Sequence, residues 1–265
     1  MSGHHTTRHV STVFQSVLDY LKIDESIITA TALADKFFQV FPQFPISKLP
    51  LTQQPMVHCD DDSCCVNSSN TITNNIIIIK QAHKSKPEGF SLSGYAGSGK
   101  STVADMLVEL LGCQTHAFAA ALKDVTAYLF GLDRASLEGD TKQSREWREQ
   151  PLADWSGLTA RVILQRLGTE VFRSLHDDIW LEVLTNRLTG KVVITDARFV
   201  NELQLCHDLG LTTVVVKRPG VGPQSSHPSE TSHTGWKFDV YIDNDGDLQQ
   251  LKSRVLAAAS EVRAL

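Results

Sequence analysis

The chain has 265 residues, 42% of them hydrophobic and 21% charged, an ordinary globular composition that can bury a full core without metal or disulfide staples. Its net charge of −5 provides no overall basic field for DNA or RNA, so polymeric nucleic acid is not an expected partner. Five irregularly spaced cysteines do not make a secreted disulfide framework, no apolar run is long enough to span a bilayer, and the N-terminus lacks the order of a signal peptide. The expected compartment is a reducing cytoplasm, with no membrane partner.

Residues 1–86 and 87–265 differ in character. In the first part, Val10, Val13, Phe14, Val17, Leu18 and Leu21 fall at helical spacing, and a second helix is expected from about Thr31 to Phe41, ended by Pro42. Residues 49–75 are polar and read as a linker, and the apolar run Ile76–Ile79 suits a short buried strand. This part reads as a mostly helical extension. It either supports a homodimer or packs on the sheet edge through Ile76–Ile79.

From residue 87, strand-like and helix-like segments alternate. Phe90–Ser93 reads as a strand, followed by a helix with Val103, Met106, Leu107, Leu110 and Leu111 on one face, stopping at Gly112. A strand at about Thr115–Ala119 leads to a helix through Leu122, Val125, Leu129 and Phe130. A helical stretch from Leu158 to Leu188 is expected to break near Gly168 and before Asp178. Then come a strand at 192–195, a helix to Leu209 capped by Gly210, strands at 212–216 and 240–242, and a final helix from Leu248 to Val262. The alternation predicts an α/β domain with about five parallel strands and helices on both faces.

The segment Gly94-Tyr95-Ala96-Gly97-Ser98-Gly99-Lys100-Ser101 matches G-x-x-x-x-G-K-[ST] at every fixed position, between a strand and an amphipathic helix. Glycines let backbone N–H groups converge on one concavity, and the helix that follows puts its positive end there. Lys100 would reach the β- and γ-phosphates and Ser101 would ligate Mg²⁺. This predicts a P-loop nucleotide site. No Asn-Lys-x-Asp segment appears, which favours ATP over GTP. The loop alone leaves kinase, ATPase and switch protein open.

Between the second and third strands the chain is dense in polar hooks: Lys123, Lys142, Arg145, Arg161, Gln165, Arg166 and Thr169. They suit a lobe that holds a second anionic substrate, since guanidinium groups bind phosphate bidentately. A solvated helix face is the plain alternative for any one of them.

The pieces Leu164-Gln165-Arg166-Leu167-Gly168-Thr169-Glu170, Trp180, and Thr195-Asp196-Ala197-Arg198-Phe199-Val200-Asn201-Glu202 carry a family likeness. With Phe118–Asp124, Lys217–Gly220, His227 and Glu230, they resemble the deoxynucleoside monophosphate kinases of bacteriophages over about residues 87–255. The resemblance implies ATP-dependent phosphorylation of a dNMP with Mg²⁺, in the host cytoplasm if the chain is viral. It implies that Gly94 and Gly97 to Thr102 hold ATP phosphates, through Ser98, Gly99, Lys100 and Ser101. It further implies that Lys123, Arg145, Arg161, Gln165, Gly168, Thr169, Trp180 and Glu202 form the monophosphate wall, and that Arg218 to about Trp236 is a lid over ATP. Lys100, Arg218, Asp196 and Arg198 are the implied catalytic groups. Ser101 and Asp196 (through water) are the implied Mg²⁺ contacts.

Alternatives stand beside several of these. Asp196 could cap the turn after its strand, and Trp180 could be plain core rather than a base-stacking ring. His227 and Glu230 could touch adenine or order the lid. His58, Cys59, Cys64 and Cys65 lack the spacing of familiar zinc sites. Residues 131–158 fit the family loosely, leaving Lys142 against Arg145 open, and nothing in the family pattern accounts for residues 1–86. Another small-molecule kinase, or a nucleotide-dependent binding protein, are the competing functions.

Overall fold

The computed structural model describes residues 2–50, 86–223 and 226–263. Five strands, β1 (Glu88–Ser93), β2 (Gln114–His116), β3 (Lys191–Ile194), β4 (Thr212–Lys217) and β5 (Val240–Asp243), form one parallel sheet in the order β2-β3-β1-β4-β5. The strand order turns at β1, so a crevice opens beyond its carboxyl end. The run Ile76–Ile79, the polar stretch 51–75 and the cluster His58, Cys59, Cys64 and Cys65 lie outside the described residues.

Alternate strand residues feed two cores, as the pleat requires. Phe90, Leu92, Val193, Val214 and Val216 pack against helices α3 (Lys100–Leu111) and α10 (Leu248–Arg263). Val192, Ile194 and Val215 face the other way, into a larger core with α4 (Phe118–Phe130) and α8 (Val200–Asp208). Both faces are covered, which is why these strands read as nearly continuous apolar runs.

Helix α3 ends as expected at Gly112, whose left-handed φ of 65° lets its N–H reach Val108 O. The strand expected at Thr115–Ala119 stops at His116 instead, because helix α4 begins at Phe118. A short helix that the sequence reading did not anticipate, α5 (Lys142–Arg148), is started by a reciprocal cap between Thr141 and Ser144. The expected break at Gly168 is not a break. Helix α6 (Ala160–Gln165) widens into a π-helical turn, Arg166–Arg173, and Gly168 sits inside it. Helix α7 (Ile179–Thr185) follows, and a short helix α9 (Pro228–Thr231) lies in the segment after β4.

Helices α1 (Ser2–Leu21) and α2 (Ala30–Val40) do not form a separate core. Thr29 caps α2 by accepting the Ala32 N–H at 3.1 Å. The Phe37 ring meets Phe14 at 5.2 Å and Phe130 of α4 at 5.8 Å. Phe44 stacks on Trp155 at 4.8 Å, and Leu49, expected at the start of the polar linker, is buried. The described part of the extension thus packs on the helices of the larger core, beside the elements that carry the polar hooks.

Candidate active site

The loop from β1 to α3 needs its glycines for space as well as for dihedrals. Gly94 has φ 131°, and a Cβ there would lie 2.4 Å from Val216 O. Gly99, at φ 105°, would place a Cβ 2.4 Å from the Asn244 side-chain nitrogen, which donates to Ser98 O at 2.9 Å and braces the loop from the end of β5. Lys100 is the first residue of α3, and its ammonium donates to Gly94 O at 2.7 Å and Tyr95 O at 2.8 Å. Burial and the nearby Arg198 push its pKa down to about 8, against the pull of Asp196 and Glu230.

This loop forms one end of a cleft of about 570 Å³. Of the residues singled out in the sequence, Gly97, Gly99, Lys100, Ser101, Thr102 and His227 line it. So do Lys123, Arg145, Arg161, Gln165, Gly168 and Thr169, together with Trp180, Asp196, Arg198, Glu202 and Arg218. Gly94 and Ser98 lie behind the lining, with Ser98 buried.

Three acidic groups of the cleft are tied into the framework. Asp196, just past β3, accepts the N–H of Phe118 at 2.8 Å and of Ala119 at 2.9 Å, one on each oxygen. It therefore caps α4 from across the cleft rather than the turn after its own strand. Glu202 accepts the N–H of Arg198 at 2.8 Å and of Phe199 at 3.1 Å on one oxygen, and Arg173 at 2.6 Å on the other. Burial pushes its pKa up to about 7, opposed by Arg173 and the two amides and aided by Asp196. Glu202, expected as a substrate contact, lines the cleft and is a buried cap for α8 and the counter-ion of Arg173. Arg198 donates to the buried carboxylate of Glu230 at 3.0 Å, linking the β3 end to the segment after β4.

The remaining hooks come from α4 to α7. Lys123 pairs with Glu138 at 2.5 Å, and Arg161 pairs with Glu149. The Arg145 guanidinium is turned onto its own backbone, donating to Asp140 O at 2.7 Å. Thr169 donates its hydroxyl to Gln165 O at 2.7 Å. Trp180 is buried, tilted against Phe172 at 5.0 Å, with its indole N–H on Gly168 O at 3.2 Å. It is a core residue that reaches the cleft wall. A methyl group on Gly168 would come 2.8 Å from the Leu122 Cδ2, so the Leu122 side chain of α4 packs against this glycine.

The sequence reading missed four residues here. Arg148, at the end of α5, lines the cleft with its Nε buried and without a hydrogen-bond partner among the described residues. Its guanidinium lies over Gly139, where a Cβ would fall 2.1 Å from Cζ, and burial with the charges of Arg161 and Arg198 depresses its pKa. Arg173 is held by Glu202 and sits over the Phe199 ring at 4.1 Å. Glu138 joins Lys123 to Arg134. His233 is buried edge-on to Tyr95 at 5.1 Å, and burial, Lys100 and Arg198 push its pKa below the usual histidine value. The spacing of Arg148 three residues after Arg145 on one helix face was the available signal.

Among the described residues no cluster of three or more His, Cys, Asp or Glu could hold a metal on its own, and no helix is long and apolar enough to cross a membrane. The donor set at the loop therefore suits a cation held mainly by substrate phosphate oxygens and water, with the Ser101 hydroxyl beside it.

Comparison with known proteins gives a consistent result. A family model described as deoxynucleotide monophosphate kinase matches residues 149–255. A putative deoxynucleotide monophosphate kinase of Acanthamoeba polyphaga mimivirus is 31% identical over 183 residues, covering 63% of this chain and 93% of that protein. The deoxynucleotide monophosphate kinase of Enterobacteria phage T4 is 20% identical over 62% of this chain and 95% of its own length. That of Escherichia phage RB69 is 29% identical, over 36% of this chain and 42% of its own length.

Proposed function

Because the chain belongs to the deoxynucleotide monophosphate kinase family, we propose that its cleft moves the γ-phosphoryl group of ATP to the 5′-phosphate of a deoxynucleoside monophosphate, giving ADP and a deoxynucleoside diphosphate. The observation that carries this reading is one continuous cleft with a phosphate loop at one end and, in its wall, the Arg148 guanidinium, whose buried Nε has no hydrogen-bond partner among the described residues. A substrate phosphate would supply that partner.

The chemistry needs no strong base. A monophosphate is largely dianionic at neutral pH, its second pKa being about 6, and already carries the attacking oxygen. The protein positions two anions and stabilises charge between them. The loop amides and Lys100 hold the triphosphate. Lys100 leaves the carbonyls of Gly94 and Tyr95 for a phosphate oxygen, a better acceptor because it is charged. Arg148, Arg161 and Lys123 hold the acceptor phosphate, with Gln165, Gly168 and Thr169 behind the nucleoside. Arg198 and Arg218 stand where the phosphoryl group passes. Ser101 and, through water, Asp196 would hold Mg²⁺, which when bound supplies positive charge against the triphosphate.

Residues 87–265 are the kinase unit in this reading, with 218–236 as the lid, where Glu230 orders Arg198. The first 86 residues are an extension of it. The enzyme works in the cytoplasm, of a host cell if the chain is viral, on small-molecule substrates. The test is a panel of dAMP, dCMP, dGMP and dTMP with ATP and Mg²⁺, read by coupled ADP release. Acceptor-dependent turnover with at least one supports the reading. ATP binding without any acceptor-dependent turnover would refute it, and would favour a nucleotide-dependent binding protein.

A further inference from the structure

The extension reaches the acceptor wall through polar side chains. Tyr20, on the last turn of α1, donates its hydroxyl to Asp124 of α4 at 2.5 Å. The other Asp124 oxygen pairs with Arg134 Nε at 2.5 Å. Arg134 also pairs with Glu138, whose second oxygen holds the Lys123 ammonium at 2.5 Å. Glu138 and Lys123 both line the cleft.

The path matters because of where Glu138 sits. Residues 131–140 form neither helix nor strand, so no backbone ladder fixes this carboxylate. Its place is set by Arg134, and Arg134 is anchored by Asp124 and by a 3.5 Å bond to Ala120 O. Asp124 has both oxygens occupied only while Tyr20 is present. The Arg187 guanidinium lies over the Tyr20 ring at 5.1 Å, and burial followed by Asp124 pushes the phenol up to about 12. The hydroxyl is therefore a fixed donor throughout the neutral range.

We propose that Tyr20 is a positioning residue for the acceptor nucleotide: through Asp124, Arg134 and Glu138 it sets where the Lys123 ammonium stands in the cleft. The extension is thereby part of the acceptor site without touching the substrate. The inference rests on the acceptor assignment made above.

The test is Tyr20→Phe in the full chain, which keeps the ring under the Arg187 guanidinium and removes the hydroxyl with its hydrogen bonds to Asp124 and Arg187. The KM for the dNMP should rise roughly three- to tenfold, about the worth of one ordinary hydrogen bond because the effect reaches the substrate only through the relay, with the KM for ATP unchanged. Val13→Ala, in the same helix and buried in the core, should lower the thermal midpoint without changing the ratio of the two KM values. Amide exchange at 133–140, measured without nucleotide, should accelerate in Tyr20→Phe. An unchanged dNMP KM, equal rises in both KM values, or the same dNMP effect from Val13→Ala would overturn the proposal. If the wild type phosphorylates no dNMP, the functional reading falls by itself. The exchange arm still decides the relay, since unchanged exchange at 133–140 refutes it.

Discussion

The Asp196 carboxylate and the Phe118 amide meet at 2.8 Å across the carboxyl edge of the sheet, and with Ala119 on the other oxygen this anion sits on the positive end of a 13-residue helix. Asp196 therefore holds helix α4, which carries Lys123, in place whatever else it does. Asp196→Asn keeps the shape but turns an N–H donor toward an N–H donor. It should lower unfolding stability by about 1–2 kcal/mol, as loss of a good cap does, in addition to lowering kcat. A residue serving only as a metal contact would leave the urea midpoint unchanged or raise it.

Arg148 and Arg145 lie on the same short helix with different surroundings. The first is half-buried with its Nε lacking a hydrogen-bond partner among the described residues, whereas the second already donates to the Asp140 carbonyl. Arg148→Ala should raise the dNMP KM by about 10- to 100-fold, the loss of one charged hydrogen-bonded contact. Arg145→Ala should change it by less than about threefold. Steady-state kinetics with varied dNMP at saturating ATP separates the two.

Lys100 makes ATP affinity depend on pH. Its pKa is about 8 in the free protein, and a bound triphosphate must raise it. Below pH 8 the free protein already holds the proton, so binding is fully favourable. Above it binding must take up a proton, and affinity should fall by up to about tenfold per pH unit. Titration calorimetry from pH 7 to 9.5 checks this, and Lys100→Ala should flatten the profile. The effect on folding has the opposite sign. Between about 8 and the ordinary 10.5 the unfolded chain holds more protons, so this group's contribution to stability grows with pH.

Glu202 and Arg173 form a pair with side chains 4% and 8% exposed. Glu202→Ala leaves a buried guanidinium without its main counter-ion and removes the cap of α8. It should cost about 3–5 kcal/mol in urea unfolding, much more than an exposed pair would. A direct substrate contact would lower dNMP affinity and leave stability near the wild-type value.

Local patterns made the framework legible. The glycine spacing around Lys100, the alternation of strands and helices, and the stop at Gly112 all act within a few residues, where sequence and structure are tightly linked. What escaped depends on distant partners. In the sequence Asp196 stands open between a metal contact and a cap, and Glu202 is expected in the monophosphate wall, because their carboxylates are claimed by Phe118, Ala119 and Arg173, which no spacing rule brings together. Helix α5, and Arg148 with it, was missed because a Thr–Ser cap is a weak start signal on a 7-residue helix. Gly168 suggested a break because glycine is a poor helix former, but it sits inside the π-helical turn, packed against the Leu122 side chain and with its carbonyl accepting the Trp180 indole N–H. The link from Tyr20 to Asp124 spans 104 positions and leaves no local trace.

The central claim is that the phosphate loop and the Arg148 wall serve one transfer reaction, and γ-labelled ATP with a dNMP tests it most directly. The account predicts label in the β-phosphate of the deoxynucleoside diphosphate, sharply reduced in Lys100→Ala and in Arg148→Ala at subsaturating dNMP. Label appearing only as inorganic phosphate, or transfer unaffected by either substitution, would contradict it.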